Sequence, residues 1–262
     1  PNARSGIRQG IDVCFSACAV TDRGPLHLKN QDCFALGDQC GVCCVPHTSM
    51  RAQGSAYQYV VCDGISSMPD SEQAADIACH ALITPPDVPD LSDRLMKAML
   101  LAERQVCRKG QGGTTAVALY SDGIYAVVAN VGDSRAYLFR DGELRQLTVD
   151  HNREKIIQEL KIDKRAARRA GLDPAALTQY LGMGREKIQI EPACSGLIKL
   201  EEGDCFLLCT DGLTSVLTDT AIAAVLDGGR TIEEKTERLV WLALEAGTQD
   251  NVTALLCKCR SE

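Results

Sequence analysis

The stretch that decides the fold spans residues 114–147 and reads TTAVALYSDGIYAVVANVGDSRAYLFRDGELRQL. Apolar and polar residues alternate along it with a period of two, which is typical of β-strands that bury one face. Ser121-Asp122-Gly123 and Asp141-Gly142 interrupt the alternation, and an Asp-Gly pair between apolar runs is a strong hairpin signal. The stretch therefore predicts a meander of antiparallel strands.

Further strands and helices are predicted on both sides of this stretch. Apolar, β-branched runs predict strands at 12–20, 57–62, 187–191, 204–210 and 252–258. Helical spacing predicts helices after an apparent capping box at Asp70–Gln73, and at 92–109, 218–227 and 231–246, the last of which opens with Thr231-x-x-Glu234. Because strands and helices stand in separate blocks, we predict an α+β fold with antiparallel sheets covered by helices.

Composition excludes several classes of function. The formal net charge is −7, so neither nucleic acid nor an anionic membrane surface is an expected partner. No apolar run reaches the roughly eighteen residues that a membrane-spanning helix requires. The fourteen cysteines are scattered, many within apolar runs, which predicts reduced, buried thiols in a cytoplasmic protein. We expect a monomer.

One group of cysteines is denser than the rest. Cys40, Cys43, Cys44 and His47 include a C-x-x-C spacing with a nearby histidine, which is a possible start of a zinc site. No second C-x-x-C pair follows, so a zinc-stabilised interaction domain is the minor alternative.

Aspartates recur where predicted strands end or begin. Asp63 follows YQYVVC, Asp133 follows IYAVVANVG, Asp211 follows FLLCT, and the pair Asp250-Asn251 immediately precedes VTALLCK, which begins at residue 252. Any one of these residues alone is explained by turn chemistry. Four together favour a site, because neighbouring carboxylates repel one another unless cations neutralise them. Such oxygen ligands suit Mg²⁺ or Mn²⁺.

The sequence also resembles a known family at these positions. The ordered motifs are TDRGPLHLKNQD at 21–32, VVCDGISSMPDSEQAA at 60–75, GGTTAV at 112–117, NVGDSRAYLFRDGELRQLTVDH at 130–151, LLCTDGLTSVLTD at 207–219 and GTQDNVTAL at 247–255. Together they resemble the metal-dependent, type 2C serine/threonine protein phosphatases, in particular the bacterial members. The resemblance covers nearly the whole chain in the expected order.

The resemblance implies a fold and an activity. The fold is a four-layer α/β/β/α sandwich with two central antiparallel sheets, and residues 1–262 form a single catalytic domain. Residues 151–179 form a flap beside the active-site cleft that contributes to substrate choice. The activity is hydrolysis of phosphoserine and phosphothreonine in phosphorylated proteins by a two-metal-activated water. The resemblance also implies a partner, namely a serine/threonine kinase that phosphorylates the same target proteins.

The resemblance also assigns the metal-site residues. Asp63 would bridge two Mn²⁺ or Mg²⁺ ions, and the carbonyl of Gly64 would bind one of them. Asp211 and Asp250 would bind the other ion, and Asp32 would act through metal-bound water. Asp133, together with Asp211, would form a third metal site.

The sequence departs from the family pattern at several positions. The arginine that grips the substrate phosphate is replaced by His27, and a histidine loses its charge near neutrality. Ser66 and Ser67 replace paired glycines, Gln31 replaces a glutamate, and Ser215 replaces an aspartate. These changes keep an alternative open, in which the chain is a weak or inactive member that binds phosphoproteins as a regulator. The intact aspartates favour an active enzyme.

Overall fold

The computed structural model describes residues 13–41, 47–54, 58–109 and 111–261. The helices are α1 Ser71–Ile83, α2 Leu91–Lys109, α3 Arg153–Glu159, α4 Lys164–Arg169, α5 Asp211–Thr214, α6 Asp219–Asp227 and α7 Ile232–Glu245. The strands are β1 Val13–Asp22, β2 Asp32–Leu36, β3 Gln39–Gly41, β4 His47–Gly54, β5 Gln58–Asp63, β6 Ala116–Ser121, β7 Tyr125–Val131, β8 Arg135–Arg140, β9 Glu143–Gln146, β10 Ala193–Cys194, β11 Ile198–Lys199, β12 Cys205–Cys209 and β13 Val252–Ser261.

The strands form two sheets in which the described neighbours are antiparallel. The first sheet has the order β4-β1-β13-β12-β8-β9. The second has the order β10-β7-β6-β5-β2-β3, with β11 also paired to β7. The longest ladder joins β1 to β13, from Val13 opposite Ser261 to Asp22 opposite Val252. It ties the described start of the chain to its end.

Three apolar layers hold the sheets and helices together. Phe34, Val61, Phe206 and Leu255 are fully buried members of the core between the two sheets. Helices α1 and α2 cover the outer face of the second sheet. Helices α6 and α7 cover that of the first. The structure thus confirms the predicted α+β fold with two antiparallel sheets flanked by helices.

The stretch 114–147 forms four strands, but they do not make one continuous meander. β6 and β7 pair as a hairpin in the second sheet, whereas β8 and β9 pair as a hairpin in the first. The chain crosses between the sheets at residues 132–134. Gly132 has φ +102, and a Cβ there would lie 2.6 Å from Thr115 Cβ. The alternating pattern does not distinguish the two sheets, which is why the prediction of a single meander was wrong.

Two other local predictions were wrong and one was confirmed. Asp70 does not cap α1, because it has a left-handed backbone (φ 53) and its side chain makes no capping hydrogen bond. Residues 187–191 form no strand; a 3₁₀ helix at Met183–Glu186 precedes them, and pairing with β7 begins only at Ala193. The predicted box at Thr231 and Glu234 is present at the start of α7, with both reciprocal hydrogen bonds.

Within the described part of the chain, no helix combines the length and the apolar character needed to cross a lipid bilayer.

Candidate functional site

The predicted aspartates come from both sheets and meet at one end of the sandwich. Asp32 begins β2 and lies directly opposite Asp63, the last residue of β5. Asp211 follows β12 and opens α5, and Asp250 stands two residues before β13. Asp133 lies in the crossing between the sheets. The strands of the inter-sheet core therefore deliver acidic side chains to its edge.

A cleft of about 580 Å³ lies at this end of the sandwich. The sheets contribute Asp63, Asp133, Asp211 and Asp250 to its walls, and the loop after β5 adds Gly64, Ser66, Ser67 and Met68. A second wall comes from the predicted flap and the residue that follows it: Asp173, Ala175, Ala176, Leu177 and Tyr180. Four of the five aspartates thus face a shared space, and Asp32 lies behind them.

Burial and mutual repulsion raise the pKa of four of these carboxyls, those of Asp32, Asp63, Asp133 and Asp211. Part of Asp63 faces the open cleft, yet burial of its carboxyl raises its pKa well above the usual value, and the charges of the other four aspartates raise it further. Burial is also the main cause that raises the pKa of Asp211 to about 6, of Asp133 to about 7 and of Asp32 to about 8. The cleft therefore concentrates more negative charge than protein and water readily accommodate near neutral pH.

The donor set fits hard divalent cations. The Oδ1 atoms of Asp32 and Asp211 are buried and have no hydrogen-bond partner. Ionised carboxylates are acceptors only, so an unpartnered buried oxygen requires a donor, water or a cation. Among the described residues, no three acidic, histidine or cysteine side chains are grouped tightly enough to hold an ion as they stand. Carboxylates without a counter-charge repel one another, so closer approach requires cations.

Asp32 is fixed from behind by two threonines. Thr210 Oγ1 and Thr253 Oγ1 donate hydrogen bonds to Asp32 Oδ2, at 3.0 and 2.6 Å. The two hydroxyls come from the first sheet and Asp32 from the second. These hydrogen bonds tie the two sheets together at the cleft.

Asn251 holds the loop that leads to Asp32, a role that the sequence did not reveal. Its Oδ1 accepts from the Gln31 N–H at 2.7 Å, and its Nδ2 donates to the carbonyls of Arg23 and Lys29 at 2.6 and 3.2 Å. The Asp-Asn pair at 250–251 was visible in the sequence, but its partners lie more than 200 positions away.

Two glycines allow the backbone at 250–251 to pack this closely. A Cβ on Gly24 would lie 2.2 Å from the carbonyl oxygen of Asp250. A Cβ on Gly212 would lie 1.9 Å from the carbonyl oxygen of Asn251. Any side chain at either position would push Asp250 away from the other aspartates.

His27 lies beside Asp250. The imidazole Nε2 is 3.1 Å from Asp250 Oδ1, and both side chains are partly exposed, at 27% and 41%. The structure thus brings His27 to the acidic group. Its predicted contact with substrate phosphate stays a prediction.

Ser66, Ser67 and Asp173 are further residues at the cleft. Ser66 and Ser67 do line the cleft where the family has glycines. Asp173 also lines it, although the sequence gave no reason to single it out.

Cys43 and Cys44 of the proposed zinc group lie outside the described residues, so the structure does not test that minor alternative. Cys62, next to Asp63, is fully buried in the second sheet, as a packing role requires.

Comparison with known proteins agrees with this fold and identifies the family. Residues 38–245 match the model of the protein phosphatase 2C family. The chain belongs to this family.

The similar proteins of known sequence are bacterial serine/threonine phosphatases. The serine/threonine phosphatase stp of Listeria monocytogenes is 32% identical over 160 residues, which are 60% of this chain and 61% of that protein. The serine/threonine protein phosphatase PstP of Mycobacterium tuberculosis is 28% identical over 251 residues, 94% of this chain but 45% of PstP. The matched region thus spans less than two thirds of either relative.

Solved structures of such proteins share the fold. The Mycobacterium tuberculosis phosphatase PstP superimposes with a TM-score of 0.74 at 26% identity, covering 94% of this chain and 99% of that one. The serine/threonine phosphatase of S. agalactiae gives a TM-score of 0.76 at 26% identity, covering 93% and 99%. A further structure, of the PstP catalytic domain, contains two manganese ions.

Proposed function

We propose that this chain is a metal-dependent phosphatase that hydrolyses phosphoserine and phosphothreonine in proteins. One observation carries the proposal: aspartates from both sheets meet in one cleft, with raised pKa values and unpartnered buried oxygens. Membership of the protein phosphatase 2C family and the names of the relatives support it.

The residues that would hold two Mn²⁺ or Mg²⁺ ions are Asp63, the Gly64 carbonyl, Asp211 and Asp250. Asp133 with Asp211 would hold a third, and Asp32 would orient water. When bound, such cations lower the pKa of a water molecule and neutralise phosphoryl oxygens during in-line displacement. The two manganese ions of the PstP catalytic domain support this choice of metal.

Other residues of the chain would position the substrate. Protonated His27, at the edge of the acidic group, would donate to a phosphoryl oxygen. The flap would close one side of the cleft with Leu177 and neighbouring residues. Exposed Arg165, Arg168 and Arg169 on the flap would attract phosphorylated, acidic peptides.

The biological setting is part of the same proposal. We propose one catalytic domain over residues 1–262 with a flap at 151–179, acting as a monomer in the cytoplasm. Its role is in signal transduction, where it reverses the action of a serine/threonine kinase. The bacterial serine/threonine phosphatases among its relatives support this setting.

The test is hydrolysis of a phosphothreonine peptide with Mn²⁺ and with EDTA. We expect activity with Mn²⁺ and none with EDTA. Asp63→Asn should lower kcat/KM by at least about 100-fold, because it removes charge that holds the cations. Asp141→Asn is the matched control: it changes an aspartate in an exposed Asp-Gly turn, where asparagine also tolerates the positive φ of 52.

The inactive, phosphoprotein-binding alternative makes the opposite prediction. The chain would bind the phosphopeptide but release no phosphate at any Mn²⁺ concentration. The replacements at His27, Ser66 and Ser67 motivate this alternative, whereas the four aspartates that line the cleft, with Asp32 beside Asp63, favour the active enzyme.

A further inference from the structure

Four cysteine thiols from four elements lie on the outer face of the second sheet, which is the face that α1 covers. Cys33 on β2 lies directly opposite Cys62 on β5. Cys40 lies on the edge strand β3, and Cys79 lies on α1, which packs over this face. Cys33, Cys62 and Cys79 are buried in one apolar cluster, and Cys40 packs against it. The fold therefore builds a compact sulfur cluster between the second sheet and α1.

Two of these thiols are suited to react with each other. The Sγ atoms of Cys40 and Cys79 are 3.9 Å apart. Cys40 is half-buried at the sheet edge, whereas Cys79 is fully buried beneath it. Side-chain rotations can bring two sulfurs at this separation to the roughly 2.05 Å of a disulfide bond. A small oxidant can reach Cys40 from solvent.

The two thiols also differ in acidity. The hydrogen bond between Cys40 and Cys79 lowers the pKa of Cys40, whereas burial raises the pKa of Cys79 well above its usual value. Cys40 is therefore the thiol that ionises first, and the thiolate is the form that reacts with oxidants. His80 adds a favourable charge near Cys40 when it is protonated.

We propose that Cys40 and Cys79 form a redox-active dithiol that a hydroperoxide converts into an intramolecular disulfide. A metal site is disfavoured here, because among the described residues no three cysteines are grouped closely enough to hold an ion. The modification is independent of phosphate hydrolysis and rests on the sulfur geometry alone.

The reaction balances in two steps. The Cys40 thiol first loses its proton to solvent, and its thiolate attacks the peroxide O–O bond, forming a sulfenic acid and releasing an alkoxide, or hydroxide from hydrogen peroxide, which takes that proton back from solvent to become the alcohol or water. Cys79 then attacks the sulfenic sulfur, forming the S–S bond, and the departing hydroxide takes the Cys79 proton to leave as water. Two thiols are oxidised, and one hydroperoxide is reduced.

The disulfide would enclose the segment between the two cysteines. Residues 41–78 include β5 with Asp63, the Gly64 loop and the start of α1. The cross-link would fasten α1 to the edge strand β3 and so restrict the chain around two of the cleft residues.

The test treats the full chain with hydrogen peroxide in EDTA, alkylates the remaining thiols and maps the digest by mass spectrometry. We expect two of the fourteen thiols to be lost as one linked pair, Cys40–Cys79, and dithiothreitol to restore both. Cys40→Ser should abolish the linkage. Cys194→Ser should retain it, because Cys194 is an exposed thiol at the opposite edge of the same sheet.

Three results would overturn the proposal. The linkage could persist in Cys40→Ser, which would assign it to other cysteines. Cys40 could be oxidised to sulfinic or sulfonic acid without a linked partner. The thiol count could remain at fourteen after treatment. Circular dichroism of each variant, together with a second variant, Cys79→Ala, separates loss of the partner thiol from loss of the fold.

Discussion

The space between the two sheets and the cleft at its end are built by the same strands but have opposite chemistry. Between the sheets, Phe34, Val61 and Leu208 are buried members of one apolar core. At the end, Asp32, Asp63 and their neighbours crowd together with raised pKa values. The core lowers the free energy of the folded state, whereas the acidic end raises it. Such a locally unfavourable arrangement is typical of a functional site.

The largest effect is expected from breaking the apolar region. Phe206 is fully buried between the sheets. Phe206→Ala should reduce the free energy of unfolding by about 3–5 kcal/mol, because it removes a large buried side chain and leaves a cavity. Urea unfolding in EDTA measures this change. A loss below about 1 kcal/mol would mean that the core between the sheets contributes less than its burial implies.

Removing a charge from the acidic end should raise the free energy of unfolding, not lower it. Asp63→Asn should make the metal-free protein more stable, by roughly 0.5–2 kcal/mol, because it removes one of several repelling charges. The same variant should lose phosphatase activity. Urea unfolding in EDTA, with Asp141→Asn as control, measures the stability change. If Asp63→Asn were instead less stable than the parent chain, Asp63 would stabilise the metal-free fold, which would contradict this prediction.

His27→Arg sharpens the comparison at the edge of the cleft. A guanidinium keeps its charge at all relevant pH values and offers a two-pronged contact, so KM for a phosphopeptide should fall by up to about tenfold. Equal KM values for the parent chain and His27→Arg would exclude His27 from phosphate binding.

The smallest effect is expected far from both regions, at the start of α7. Thr231 and Glu234 form a complete capping box, so Thr231→Ala should cost about 1 kcal/mol and leave activity unchanged. Asp70→Asn is the matched comparison, because Asp70 precedes α1 without capping it. Equal losses for both variants in thermal unfolding would contradict the assignment of these caps.

Most of the secondary structure and the acidic group followed from the sequence. Alternation, Asp-Gly turns and helical spacing located the main strands and helices, because each depends on neighbours close in the chain. The aspartates at strand ends were visible for the same reason. Their meeting was an inference from charge and from the family resemblance, and the cleft confirms that Asp63, Asp133, Asp211 and Asp250 share one space.

What the sequence did not reveal depends on contacts between distant segments. The crossing at Gly132 sends two similar hairpins to different sheets. Asn251 holds a loop from the other end of the chain. The sulfur cluster was not predicted either. The C-x-x-C spacing is a local pattern, whereas Cys40 contacts Cys79, which lies on a helix 39 positions further along the chain.

The central claim is that cations replace protons in the acidic cleft, and the pH dependence of stability tests it most directly. The folded-state pKa values of Asp211, Asp133 and Asp32 are raised to about 6, 7 and 8, above the value of about 4 expected in the unfolded chain. The folded state therefore binds more protons, and metal-free stability should fall as pH rises from about 4 to 8.

The measurement is Tm at pH 5 and pH 8, in EDTA and in Mn²⁺, for the parent chain and Asp63→Asn. For the parent chain in EDTA, we predict a lower Tm at pH 8 than at pH 5, and we predict that Mn²⁺ raises the Tm at pH 8 again. In Asp63→Asn, both the pH effect on Tm and the increase in Tm with Mn²⁺ should be smaller. A metal-free Tm that is equal or higher at pH 8, or an equal Mn²⁺ effect in both proteins, would contradict it.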